Sequence, residues 1–274
     1  MTYSEAIRYG QKFLDGAESK NETVLLLEGV TGKTMNDFLL FPNEILCFDE
    51  EKKFEEWLCR RKNNEPVQYI IGKAPFFGLE FLTNRNVLIP RFDTETLVEE
   101  TLKVLKKGDS ILDMCTGTGC ILVSVLKNME EISGTGVDID SSAVELAKKN
   151  IEYNGVFAKV IQSNLFENIT GVFDVIVSNP PYIETKVIEE LESQVKDFEP
   201  ELALDGGADG LEFYRRIARD SKAHLKGKGA LLLEIGYNQG KAVSDILTKE
   251  GFSMVKVIKD LCGNDRVVSA VYGG

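Results

Sequence analysis

The sequence predicts an α/β protein: a mostly parallel sheet with helices on both faces, ending in an antiparallel hairpin and preceded by a small helical bundle and a linking β-hairpin. Three observations carry this. After Pro90, apolar strand-like segments alternate with helical patterns, as parallel βαβ units require. The last two strand-like segments are joined by a short link containing Leu-Cys-Gly-Asn-Asp, a hairpin finish. The first seventy residues instead carry a helical period broken by short turns.

Residues 3–17 place Ile7, Phe13 and Leu14 at helical positions, and Glu22 to Leu27 gives a compact apolar run. Thr34 to Leu40 and Glu50 to Arg61 follow, the latter with Phe54, Trp57 and Leu58 at helical spacing, which makes Trp57 a core anchor. Gly16, the run from Gly29 to Gly32 and Pro42 are the breaks between these helices. From Pro66 the texture turns to β. Val67 to Gly72 and Leu79 to Leu82 read as strands around a turn containing Gly and Pro. The sheet strands are then expected at residues 110–114, 134–140, 158–163, 173–178 and 230–235, and the closing hairpin at 254–259 and 266–272.

Composition removes several functions. With 274 residues, 32 Lys plus Arg against 44 Asp plus Glu and a net charge of −12, a nonspecific grip on nucleic acid is disfavoured, because that grip is driven by phosphate neutralisation. Residues 1–90 and 91–274 are each net acidic, and the Arg60-Arg61-Lys62 cluster reads as a solvated helix end. No apolar run is long enough for a membrane helix and no export signal is visible, so a cytoplasmic location is expected. Five Cys without a Cys-x-x-Cys pair argue against a disulfide framework, and a single His224 removes most zinc sites and imidazole chemistry.

Asp113-Met-Cys-Thr-Gly-Thr-Gly-Cys follows an apolar strand and precedes a helical run, so Cys115, Thr116, Gly117, Thr118 and Gly119 form a candidate ligand loop. A dinucleotide fingerprint would need a third glycine where Leu122 stands. Asp113 suits a cation near the ligand. The second strand ends in Gly136-Val-Asp138-Ile-Asp140, ahead of a Ser142-x-x-Glu145 capping box. An acid at that tip can accept from both hydroxyls of a ribose, and Asp138 is favoured, Asp140 being read as a helix N-terminal charge. Asn164, after the third strand, is a candidate for an adenine edge or a simple loop residue.

Ser178-Asn-Pro-Pro-Tyr182 ends the fourth strand. Two prolines fix the backbone and cannot donate, so local carbonyls remain free acceptors. Asn179 adds a side-chain acceptor and Tyr182 a flat ring. Together they can hold a planar NH2 group by accepting both of its hydrogens while the ring covers its face. Gly32-Lys33-Thr34 lacks the earlier glycine of a phosphate loop, Leu27 standing in its place.

The glycine loop, the distal Asp138 and Asn-Pro-Pro-Tyr, in this order, resemble the class I S-adenosylmethionine-dependent methyltransferases that act on amide or amine nitrogen. More closely, Pro66-Val-Gln-Tyr-Ile-Ile-Gly, Val87-Leu-Ile-Pro-Arg-Phe-Asp-Thr-Glu and Phe198-Glu-Pro-Glu-Leu-Ala-Leu-Asp-Gly-Gly-Ala-Asp-Gly-Leu resemble the release-factor glutamine methyltransferases, also called HemK or PrmC. Three positions depart from that family's usual pattern: Phe92-Asp93 for Pro-Glu, Cys115 for Gly, and Asn164-Leu165 for an acidic-aromatic pair.

The resemblance implies a Rossmann-like methyltransferase domain over residues 90–274, a β-hairpin linker over 73–89 and a substrate-binding helical bundle over 1–72. It implies S-adenosylmethionine as cofactor, S-adenosylhomocysteine as product and no metal. The substrate would be the glutamine amide nitrogen in the Gly-Gly-Gln motif of class I peptide-chain release factors. Asn179, Pro180, Pro181 and Tyr182 would be the catalytic and substrate-binding group. Arg91, Thr94, Asp113, Cys115, Thr116, Gly117, Thr118, Gly119, Asp138, Asn164, Leu165 and Asn179 would line the cofactor site. A monomer, with neither membrane nor direct nucleic-acid binding, is expected. The alternatives are a glutamine of a ribosomal protein, an adenine exocyclic amine, or a catalytically silent protein that has kept the fold.

Overall fold

The computed structural model describes residues 1–273, which fall into two compact units, Met1–Lys73 with Glu192–Phe198 and Ala74–Leu191 with Glu199 onward. The first contains α1 (Tyr3–Leu14), α2 (Ser19–Thr31), α3 (Met35–Leu40), α4 (Phe48–Lys62) and α5 (Val67–Ile71). Thr2 opens α1 with a capping box to Glu5, and Thr34 opens α3 with one to Asp37. Leu26, Leu27, Phe54 and Leu58 are fully buried at its centre, with Trp57 against them.

Two expectations change here. Val67 to Gly72 is not a strand but the short α5, which Gly72 ends at φ 81°. A β-branched apolar run suits a strand, yet Val67 and Ile70, three apart, bury on one helical face against the bundle core. Gly29 does not break a helix either. It lies inside α2, where a Cβ would come within 2.9 Å of the Trp57 ring. Helix contact chooses the glycine there, and Gly32, at φ 67°, ends α2. At Gly10 a Cβ would meet Thr23 Cγ2 at 2.5 Å. Gly10→Val is therefore expected to destabilise the protein by about 1–3 kcal/mol through overpacking, measurable as a lower urea midpoint.

Arg60 and Arg61 are not a free basic patch. Glu65 receives Arg60 at 2.8 and 2.9 Å, and Glu22 receives Arg61 at 2.8 Å.

The hairpin's second strand, β2 (Leu79–Leu82), falls where the apolar pattern places it, but its first, β1 (Lys73–Phe76), follows the segment expected to form it. Its two-residue turn, Phe77 and Gly78, has φ 50° and 72°, the left-handed pair that matches strand twist.

The second unit continues with α6 (Glu95–Val104), β3 (Ser110–Met114), α7 (Cys120–Asn128), β4 (Ser133–Asp138), α8 (Ser141–Tyr153), β5 (Ala158–Gln162) and β6 (Phe173–Ser178). After α9 (Ser193–Lys196), which belongs to the first unit, come α10 (Glu212–Asp220), β7 (Leu225–Glu234), α11 (Gly240–Lys249), β8 (Phe252–Lys259) and β9 (Asp265–Tyr272). The sheet order is β5-β4-β3-β6-β7-β9-β8, parallel from β5 to β7. The closing hairpin folds back so that β9, antiparallel to both neighbours, sits between β7 and β8.

Strand alternation sorts the core into two layers. Leu112, Met114, Ile176, Leu231 and Leu233 bury against Tyr214 and Ile217 of α10 and Val243 and Leu247 of α11. Ile111, Val175, Val177 and Leu232 face the other way, onto Leu97 and Val98 of α6 and Ile121 and Val125 of α7.

Candidate active site

The chain leaves β3 for β4 and β5 on one side of the sheet, then returns to β6 on the other. Loops after β3 and β6 therefore diverge and leave a crevice at the strands' carboxyl ends, the usual ligand position in such sheets. A cleft lies there, lined by Arg91, Thr94, Cys115, Thr116, Gly117, Thr118, Asp138, Asn164, Leu165, Asn179 and Pro181 among the residues expected from the sequence. Asp113, Gly119, Pro180 and Tyr182 lie off its wall.

The loop after β3 owes its shape to three left-handed residues, Cys115 (φ 60°), Gly117 (54°) and Gly119 (79°). Thr116 N–H donates to Val137 O at 2.8 Å, tying the loop to β4. A Cβ at Gly117 would touch nothing within 4 Å, so its backbone borders open space where a ligand can lie. Gly119 works differently: its Cβ would meet that of Ala147 on α8 at 3.3 Å. Burial raises the Cys115 thiol well above its ordinary value, so it is a packing group and not a nucleophile.

Asp113 does not face the cleft. Its alternation along β3 turns the side chain inward beneath the α7 N-terminus, where it is fully buried. Oδ2 accepts from Thr116 Oγ1 at 2.5 Å, and Oδ1 has no partner. Burial pushes this carboxyl up to about 7, against the Thr116 hydroxyl and the Leu122 amide, which lower it. A raised folded-state pKa means that protonated Asp113 contributes stability at acid pH, lost as pH rises through about 7. Asp113→Asn is thus expected to gain more stability at pH 8 than at pH 5 in parallel thermal melts. An equal effect at both would contradict the buried-acid account.

Asp138, at the tip of β4, is half-buried on the cleft wall. Its Oδ2 accepts from Gly117 N at 2.9 Å and Oδ1 from Asp140 N at 3.0 Å, which aims the carboxylate and leaves each oxygen a lone pair. Burial raises its pKa, while these amides lower it. Asp140 caps α8, its Oδ1 accepting from Ser142 N at 2.6 Å. The expected Ser142–Glu145 box does not form, because the helix already begins at Ser141 and Glu145 pairs with Lys148 at 2.7 Å.

Asn164 is committed at both ends: Oδ1 accepts from Arg216 at 2.8 Å and Nδ2 donates to Glu167 at 2.7 Å. Arg216 also stands over the Phe213 ring, 5.7 Å from its centre, and both residues line the cleft. Neither carries a sequence signal, for α10 reads simply as an amphipathic helix. Arg91 donates to Glu199 Oε1 at 2.5 Å, and the neighbouring Pro200, Leu202 and Ala203 complete that wall. Burial raises the Glu199 carboxyl, and Arg91 opposes the rise.

After β6, Ser178 Oγ donates to Met114 O at 2.7 Å and anchors the Asn-Pro-Pro-Tyr turn to β3. Asn179 Nδ2 donates to Thr94 Oγ1 at 3.3 Å, and Thr94 is buried. Tyr182, expected to cover a ligand's flat face, instead packs its half-buried ring against the sheet core, with its hydroxyl pushed up to about 12 by burial. The turn is held from behind, where Gln239 Nε2 donates to Tyr182 O at 3.0 Å. Sequence reasoning passed over Glu234, a buried acid at the end of β7; an acid closing the all-apolar run Ala-Leu-Leu-Leu was the available signal.

Among the described residues, no group of three or more His, Cys, Asp or Glu side chains could hold a metal ion, and no helix is long and apolar enough to cross a membrane.

Comparison with known proteins gives this geometry a family. The family model described as Methyltransferase small domain matches residues 90–196, and that described as PrmC N-terminal domain matches residues 5–72. The release factor glutamine methyltransferase of Agrobacterium fabrum is 43% identical over 253 residues, covering 89% of this chain and 88% of that protein. Its namesake from Caulobacter vibrioides is 38% identical over 253 residues, covering 90% and 87%. A solved methyltransferase structure from Pyrococcus furiosus shares the fold, with a TM-score of 0.55 and 22% identity over 72% of this chain and 90% of that one. On the extent and level of the first two matches, the chain belongs to the release factor glutamine methyltransferase family.

Proposed function

We propose that this protein transfers a methyl group from S-adenosylmethionine to the side-chain amide nitrogen of the glutamine in the Gly-Gly-Gln motif of class I peptide-chain release factors, releasing S-adenosylhomocysteine. The observation that carries the reading is Asn179 on the wall of one cleft with Asp138, in a chain similar over most of its length to release factor glutamine methyltransferases.

The donor set suits an adenosyl cofactor. Asp138 offers two carboxylate oxygens, each with a lone pair still open after its backbone contact, for two vicinal ribose hydroxyls. Gly117 lets the ligand lie against backbone, while Leu165, Ile139 and Phe213 supply apolar wall for a base. When bound, the cofactor supplies an electrophilic methyl on a sulfonium. Cys115, Thr116 and Thr118 complete the loop around it, Arg91 and Thr94 border it, and Asp113 and Gly119 support the loop from behind.

An amide nitrogen is a poor nucleophile because its lone pair is delocalised. Asn179 Oδ1 and the Pro180 carbonyl accept its two hydrogens, which fixes the nitrogen's direction and stabilises positive charge as it develops. The nitrogen–methyl bond forms as the sulfur–methyl bond breaks, and the methylated nitrogen then releases one of its protons to solvent. Pro181 packs on the amide plane, and Tyr182 keeps the turn seated on the core. Neither imidazole nor metal is needed for this displacement. Residues 1–72, with the hairpin over 73–89, bind the protein substrate, and residues 90–274 carry the transfer. The enzyme acts as a monomer in the cytoplasm.

The test offers labelled S-adenosylmethionine to unmethylated release factor and, in parallel, to an adenine-containing oligonucleotide. Label in the release factor alone is expected. Label in the oligonucleotide would replace the substrate, and absence of cofactor binding by calorimetry would remove the enzymatic reading.

A further inference from the structure

Glu234 is the buried ionisable group next to the reactive turn that the mechanism above leaves idle. It ends β7 directly beside the turn, since the parallel register pairs Ser178 with Leu233 and so brings Asn179 level with Glu234. Its side chain is 1% exposed, and Oε2 has no hydrogen-bond partner. The backbone there is held by Tyr214, whose hydroxyl donates to Glu234 O at 2.9 Å.

Around the carboxyl stand groups from every neighbouring element. The Thr94 and Asn179 side chains and Arg266 of β9 favour its charged form, and Asp93 opposes it. Tyr182, Tyr214 and Cys120 also feel it. Arg266 is itself shared, 3.0 Å from both Asp93 and Asp260.

We propose that Glu234, as a carboxylate, is the positioning residue that fixes the Asn179 amide with its carbonyl oxygen toward the substrate. The inference rests on the glutamine-methylating reading above and names how that site is oriented. A carboxylate only accepts. The Thr94 hydroxyl therefore turns its single hydrogen to Glu234 and keeps a lone pair for Asn179 Nδ2, the donor seen at 3.3 Å. A flipped Asn179 would bring Oδ1 against the Thr94 lone pairs and the carboxylate, which is repulsive. Protonated Glu234 can instead donate to Thr94, whose hydrogen is then free to support the flipped amide. Burial pushes the Glu234 carboxyl up to about 7, with Thr94, Arg266 and Asn179 opposing and Asp93 adding to the rise. Methyl transfer is thus expected to fall as pH drops through neutrality.

The measurement pairs kinetics with nuclear magnetic resonance. In Glu234→Gln, which can donate as well as accept, kcat is expected to fall tenfold or more with cofactor Kd within twofold, and the acid limb of its pH profile to flatten. Glu234→Asp, which restores the charge, is expected to recover more of kcat than the Gln variant. The Asn179 side-chain amide signals, assigned by their loss in Asn179→Ala, are expected to titrate near neutral pH in the wild type and not in Glu234→Gln. Thermal melts show whether each variant is folded, and the wild-type titration needs no variant of Glu234. Non-titrating Asn179 signals in the wild type, or near-normal kcat in Glu234→Gln, would overturn the proposal. Titrating signals in a wild type that leaves release factor unmethylated would support it while overturning the substrate reading.

Discussion

Asn179→Ala is expected to lower methyl transfer by about 100-fold or more while changing cofactor affinity less than twofold. A loss of that size corresponds to about 2.7 kcal/mol of transition-state stabilisation, the scale of one aimed hydrogen-bond group in a water-poor site. The asymmetry follows from placement. Asn179 sits on the turn after β6 and donates to Thr94, whereas Asp138, the proposed ribose acceptor, is on β4, beyond β3 in the sheet. Single-turnover transfer and a calorimetric titration separate the two effects. Near-normal turnover would remove Asn179 from the mechanism, and matched losses in both would mean that the turn had collapsed.

Asp138→Ala is expected to do the reverse, weakening cofactor binding by about 10–100-fold, as loss of charge-assisted hydrogen bonds to two hydroxyls predicts. The truncation also leaves the Gly117 and Asp140 amides without their acceptor, so part of the loss is loop order. Asp138→Asn separates these contributions. It keeps one acceptor oxygen and the side-chain shape, and should bind cofactor better than the Ala variant but worse than the wild type. Unchanged affinity in Asp138→Ala would move the ribose role to another acid. At saturating cofactor the Ala variant should recover most of its turnover, which Asn179→Ala cannot do.

A feature of this fold is legible in the sequence where its signal is local. The parallel strands could be read because each is an apolar run bounded by helical pattern, and the cleft could be placed because its loop and turn are contiguous motifs at strand ends. Val67 to Ile71 misled because apolar β-branched residues satisfy a strand and a buried helix face alike, and only the bundle core decides between them. Gly29 misled for the same reason, its neighbour Trp57 being on another helix.

The site shows the same limit. Asp113 and Tyr182 sit in the right motifs, but their side chains turn into the core, a matter of strand alternation and packing that spacing does not reveal. Arg216 enters the cleft from outside the β3, β4 and β6 motifs and reaches Asn164, while Glu199 acts from off the wall by holding the cleft residue Arg91, both through partners distant in sequence. Glu234 could have been suspected, since a lone acid ending an apolar central strand is costly unless something uses it.

The proposed chemistry is decided by which atom carries the methyl group. Peptide mapping of a release factor after incubation with the enzyme and labelled S-adenosylmethionine tests it most directly. One added methyl is expected, located by fragmentation on the glutamine of Gly-Gly-Gln and absent when Asn179→Ala replaces the wild type. A methyl on any other residue, or an unmodified motif in a factor exposed to enzyme shown to bind the cofactor, would contradict it.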